Sequence, residues 1–134
     1  MTPAFSRREK GRIDSEKLLQ LAAEAASEVK PTSLVHLDLR GICTFTDHFL
    51  IASVSSARQV RAIAERIEER LSEEQVRLLH REGDQESGWI LLDYSDVIIH
   101  IFEEETGMYY DLEGLWADAP KQELARSASQ GPLK

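Results

Sequence analysis

Three serines, Ser53, Ser55 and Ser56, stand just ahead of a helix-forming run, where an acyl-transfer nucleophile could sit. No G-x-S-x-G elbow surrounds them. Ser56 followed by Gln59 has instead the spacing of a helix cap. Seven glycines, none clustered, exclude a phosphate-cradling loop. A helix starting near Ala57 with Arg58 beside it offers only a generic anion site. The four histidines, His36, His48, His80 and His100, fall one to a strand, without H-x-x-x-H spacing, and the single cysteine, Cys43, allows no C-x-x-C. Asp93 and Asp96 invite comparison with metal-dependent nucleotidyl transfer. That chemistry sets its acids as D-x-D, so that both reach the same ions from one strand face. Here the acids are three residues apart across a turn, and Asp96 reads as a turn former. No catalytic constellation, no cofactor and no metal set is expected.

A binding constellation is better supplied. In the strand-like run WILLDY, 89–94, Trp89, Leu91 and Asp93 share one face, and Ile90, Leu92 and Tyr94 the other. A large aromatic beside an acid, with Glu82-Gly83 nearby and Asp96 following, is the mixture of an interface anchor with a charged edge.

The elements that must hold these residues follow from periodicity. Asp14 caps a helix running to about Val29, with Leu18, Ala22, Ala25 and Val29 on one stripe and Pro31 ending it. LVHLDL, 34–39, and HFLIASV, 48–54, read as strands flanking a loop that opens at Arg40-Gly41. Val60, Ile63, Ala64, Ile67 and Leu71 make the stripe of a second helix. VRLLH, 76–80, reads as a third strand and REGDQESG as a polar loop. WILLDY and DVIIHIF, 96–102, then form a hairpin turning near Ser95, and a short helical stretch lies around Leu112–Trp116. Two amphipathic helices need a sheet to cover, so the expected fold is a two-layer α/β domain with a mixed five-stranded sheet. The passage from 48 to 80 is expected to close as a right-handed crossover with parallel neighbours.

The chain has 134 residues, 42% of them hydrophobic, which suits one domain. Residues 1–12 form an expected basic, flexible arm, 13–116 the domain, and 117–134 a disordered tail. No run reaches the length of a membrane span, the N-terminus does not read as a secretory signal, and one cysteine fits a reducing compartment, so a cytoplasmic location is expected. A net charge of −8, with the basic residues of the arm set aside, makes the domain itself still more acidic. That disfavours DNA or other naked nucleic acid and favours a basic protein partner.

FTDHFLIAS (45–53), SARQVRAIAERI (56–67), the Glu82-Gly83 pair, WILLDYSDVIIHIF (89–102) and YYDLEGLW (109–116) occur in this order and spacing. Together they resemble the ribosomal silencing factor family, also called RsfS or Iojap, over about 14–116. The resemblance implies a nucleotidyltransferase-like fold without the catalytic acids. It also implies binding to large-subunit ribosomal protein number fourteen on the intersubunit face, a block on subunit joining with repression of translation, and a homodimer when free. Trp89, Asp93 and Asp96 match the family's hairpin residues, and Tyr94 stands where an apolar or aromatic residue is usual. Thr46 and Asp47 match a pair expected to fix the loop through backbone bonds. Tyr110, Leu112, Glu113, Leu115 and Trp116 match the C-terminal signature. Gly107 and Met108 depart from it where arginine is common, and Val54 where glycine is frequent. The expected partner-binding residues are Trp89, Asp93, Tyr94, Asp96, Glu82, Tyr110 and Glu113. The alternatives are a divergent nucleotide-binding enzyme on the same fold and an acidic adaptor for another basic client.

Overall fold

In the computed structural model, residues 14–106, 114 and 117–126 are described. Asp14 accepts a hydrogen bond from the Lys17 amide at 2.8 Å and opens α1 (Ser15–Ser27). Its apolar stripe, Leu18, Leu21, Ala22, Ala25 and Ala26, is buried. Lys30 in a left-handed conformation, followed by Pro31, turns the chain into β1 (Ser33–Asp38). β2 (His48–Val54) is buried along its whole length. Ser56 caps α2 (Ala57–Glu73): it accepts from the Gln59 amide, while the Gln59 side chain accepts from the Ser55 and Ser56 hydroxyls. Val60, Ile63, Ala64, Ile67 and Leu71 lose all exposure. Gln75 then turns left-handed, so that the Val76 amide reaches the Leu71 carbonyl at 2.9 Å. The two helices are tied by Arg66 to Glu28 at 2.6 Å. No described helix is long and apolar enough to cross a membrane.

β3 (His80–Asp84), β4 (Trp89–Asp93), β5 (Val97–Glu103), a single 3-10 turn (Glu104–Thr106) and β6 (Lys121–Arg126) complete the described elements. The fold is the expected two-layer α/β domain, with the helices on one face of a mixed sheet in the order β3-β4-β5-β2-β1-β6. Three expectations need correction. The sheet has six strands, not five: Lys121–Arg126, placed by sequence in a tail, pair antiparallel with β1. Residues 121–124 are exposed, so the strand carries no apolar alternation, and what it supplies is backbone partners for the edge of β1. The third strand occupies 80–84 instead of 76–80. Val76 and Leu78 pack toward the helical layer from an irregular segment, whereas the polar run HREGD makes the fully exposed edge strand. Finally, the parallel neighbour of β2 is β5, and β3 lies at the far edge. The run VIIHIF is buried throughout and suits a central strand; HREGD does not.

Apolar side chains of the sheet divide between two clusters. Leu34, Leu50, Ala52, Ile90, Leu92, Ile99 and Ile101 meet the helices. Val35, Leu37, Phe49, Ile51, Ile98 and Phe102 form a second cluster on the opposite, helix-free face, with Trp89 and Leu91 half-buried against it. The arm 1–12, the segment Leu112–Trp116 apart from Gly114, and residues 127–134 lie outside the described residues.

Candidate functional site

Alternation along β4 sorts the expected contact residues. Ile90 and Leu92 face the helices, and Trp89, Leu91 and Asp93 stand half-buried on the other side. The antiparallel register sets Asp84 opposite Trp89, Glu82 opposite Leu91 and His80 opposite Asp93. Directly paired residues project to the same face. The edge of the helix-free face therefore carries Asp84, Glu82 and Asp93 around Trp89 and Leu91. His80 Nε2 and Glu82 Oε2 lie 2.7 Å apart, both exposed. Arg81 points the other way and pairs with Glu68 of α2.

Trp89 is set by its neighbours. Gly83 has φ +85°, and a Cβ there would lie 2.0 Å from the Trp89 carbonyl oxygen and 2.9 Å from its ring. Only glycine permits both the backbone conformation and this approach. Ser87 fixes the preceding turn, its amide donating to the Asp84 carboxylate at 2.8 Å and its hydroxyl within 3.1 Å of the Trp89 carbonyl. The indole Nε1 is buried without a hydrogen-bond partner.

The other end of β4 is a tight turn. Asp93 accepts from the Ser95 amide at 2.8 Å, and Ser95 is left-handed with φ +78°. The Asp96 carbonyl accepts from both the Asp47 and His48 amides at 3.0 Å, which joins the hairpin to the loop before β2. Thr46, buried, donates from Oγ1 to the His48 carbonyl at 3.4 Å, as its resemblance role required; Asp47 acts there through its backbone. Asp96 itself is exposed. Among the described residues no three His, Cys, Asp or Glu side chains group to hold a metal ion.

Tyr94 corrects an expectation. It is 4% exposed and packs in the helix-covered cluster, away from Trp89. Burial, with Glu68 nearby, raises its pKa despite Arg81. It supports β4 from behind and offers no contact surface. Tyr110 and Glu113 lie outside the described residues.

Two groupings were missed by sequence reading. On the helix-free face His100 is 7% exposed, its ring edge-on to Phe49 with centroids 4.6 Å apart, and both its nitrogens lack partners. Burial pushes its pKa down to about 4. On the helical side His36 Nε2 and His48 Nδ1 are 2.8 Å apart, at the floor of a groove of about 600 Å³ bordered by Leu19, Ala23 and Leu124. Burial, then the neighbouring His48, lowers the His36 pKa. The β1–β2 register is what brings these histidines together, and single-strand alternation does not reveal it.

Fold and site define a two-layer, mixed-sheet α/β domain with an acidic, aromatic helix-free face. Comparison with known proteins gives the family. The model described as "ribosomal silencing factor during starvation" matches residues 12–132, and the chain belongs to that ribosomal silencing factor family. It is 38% identical over 112 residues to the ribosomal silencing factor RsfS of Halalkalibacterium halodurans, covering 84% of this chain and 96% of that protein. It is 32% identical over 102 residues to the chloroplastic protein Iojap of Zea mays, covering 76% of this chain and 44% of that one. A crystal structure from Bacillus halodurans superimposes with a TM-score of 0.73 at 36% identity, covering 82% of this chain and all of that one. A crystal structure from Chromobacterium violaceum gives 0.74 at 27% identity, with 91% and 100% covered. The relative from Halalkalibacterium halodurans carries the name of a ribosomal silencing factor.

Proposed function

We propose that this chain represses translation by docking, without catalysis, onto the large ribosomal subunit. Its partner there is ribosomal protein number fourteen on the intersubunit face, and occupancy of that face blocks joining of the small subunit. The observation that carries the reading is the grouping of Trp89 and Leu91 with Glu82, Asp84 and Asp93 on one sheet face. An aromatic anchor with an acidic border suits a basic protein surface: the anchor supplies affinity, and the border supplies steering and register. Asp96 extends the acidic border at the turn. Tyr110 and Glu113 join the contact set on family resemblance alone. The free protein is a cytoplasmic homodimer in this reading.

The test is cosedimentation with purified large and small subunits, followed by a subunit-joining assay. The expected result is selective binding to the large subunit and inhibition of joining. Equal binding to both subunits, or joining at the uninhibited rate, would refute the reading. Trp89→Ala should weaken docking by about 2 kcal/mol if the indole is an anchor. Its folding is to be followed in parallel, because the ring also packs against the sheet.

A further inference from the structure

Among the described residues four large apolar side chains are exposed: Ile42 at 45%, Phe45 at 64%, Leu79 at 57% and Leu124 at 37%. Three of them lie in segments at one end of the sheet, Ile42 and Phe45 beside β1 and β2 and Leu79 at the β3 edge. β1 and β4 end there, and β2, β5, β3 and β6 begin there, so the loop 39–47, the turn 93–96 and the run into β3 share one rim. Ile42 and Phe45 lie in the first of these segments and Leu79 in the last.

The rim is held by backbone bonds at the ends of β3, β4, β5, β2 and β1. The Leu79 amide donates to the Asp93 carbonyl at 2.9 Å, and the Asp47 amide to the Asp96 carbonyl at 3.0 Å. The Leu39 amide donates to the Asp47 carbonyl, and the Leu39 carbonyl in turn accepts from the Ile42 and Cys43 amides. Exposed apolar groups on a fixed frame are preorganised, because little loop ordering remains to be lost on association. The segments between them carry Asp47, Asp93 and Asp96, and Lys121 opens β6 at the same end. Arg40 of the same loop is engaged by Asp38 at 2.7 and 2.9 Å and stands 3.7 Å from Glu16, and Arg77 lies on the run into β3.

We infer that this rim is a contact surface in its own right, which seats Phe45 and Ile42 in one apolar depression and Leu79 in a separate contact, both bordered by lysine or arginine on a basic protein. The inference rests on the docking reading above and extends it from the helix-free face around the end of the sheet. Three aspartates on the same rim suit a basic protein and oppose RNA, whose phosphates they would repel. All three side chains are exposed in the isolated chain, so their removal leaves the core intact.

Full-length Ile42→Ser, Phe45→Ser and Leu79→Ser variants are to be titrated against purified large subunits and, separately, against isolated ribosomal protein number fourteen and ribosomal RNA, with melting temperatures recorded for each. Wild type should bind the subunit and the isolated protein. Phe45→Ser should bind both at least about tenfold more weakly at an unchanged melting temperature. Wild-type affinity in all three variants would overturn the rim while leaving the docking reading in place. Failure of wild type to bind large subunits would sink the docking reading itself. A loss seen with RNA but not with the isolated protein would overturn the partner chemistry. A Phe45→Ser variant that melts many degrees lower would make Phe45 a packing residue and overturn the inference too.

Discussion

His100 makes the stability of this domain depend on acidity in a calculable way. Its imidazole is 7% exposed, its nitrogens have no partners, and burial pushes its pKa from an ordinary 6.5 to about 4. Between those values the unfolded chain binds a proton that the folded chain refuses. The contribution of the neutral ring is therefore fully present above pH 6.5, falls as pH drops below 6.5, and is exhausted near pH 4. From pH 7.5 to pH 5 the loss is about 2 kcal/mol, and in full about 3 kcal/mol. For a chain of this size about 2 kcal/mol is a fall of about 6–8 °C in melting temperature. His100→Leu fills a similar volume and does not titrate. Urea denaturation of both proteins at pH 7.5, 6 and 5 isolates the effect, because the other titrating groups are common to both. The stability difference should widen toward acid in favour of the leucine variant by about 2 kcal/mol at pH 5. Removing two buried, unpartnered nitrogens should also make that variant at least as stable at pH 7.5. Parallel pH profiles, or a His100 imidazole that titrates near 6.5 by NMR in the folded state, would refute the reasoning.

Three further outcomes follow from local geometry. Gly83→Ala forces a left-handed alanine against the Trp89 carbonyl and should cost at least about 2 kcal/mol, with a shifted tryptophan emission spectrum; an unchanged denaturation midpoint would contradict it. Glu82→Lys reverses an exposed charge on the proposed docking face and should slow association with large subunits several-fold at low salt and little at high salt; stopped-flow rates insensitive to the substitution at low salt would remove steering from the account. Ser56→Ala leaves the Gln59 amide without its side-chain acceptor and should destabilise the domain by about 1 kcal/mol in thermal or urea unfolding, against no change if the cap were idle.

The α2 stripe, the Ser56 cap and the two faces of β4 were legible because each is a local pattern that one element imposes on its own residues. Even the burial of Tyr94 was implicit in its parity with Ile90 and Leu92; it was counted among the contact residues for its place in the hairpin, whereas it packs under the helices. Edge strands were less legible. HREGD and KQELAR are polar because an edge needs backbone partners and not a buried face, so the apolar run VRLLH drew the third strand a few residues too early. The parallel pairing of β2 with β5 depends on tertiary choice, as does the meeting of His36 with His48. Glu82, read by sequence as part of a polar loop near the hairpin, lies in β3, and the register that puts it opposite Leu91 is visible only once β3 is paired. The rim of Ile42, Phe45 and Leu79 escaped sequence reading because apolar residues in loops give no periodic signal.

The sixth strand also has a meaning in time. Leu37 of β1 pairs with Lys121 of β6, so during synthesis β1 is made long before the residues that cover its outer edge. Once β5 has been made, and until β6 follows, the growing chain can hold five of its six strands with the outer edge of β1 open and template-like, the kind of state in which nascent chains associate wrongly. A late strand that is strongly apolar would itself be prone to aggregation while it waited. KQELAR seals the edge with backbone bonds and remains soluble until it does, so the polarity that hid β6 in the sequence is what lets it arrive last.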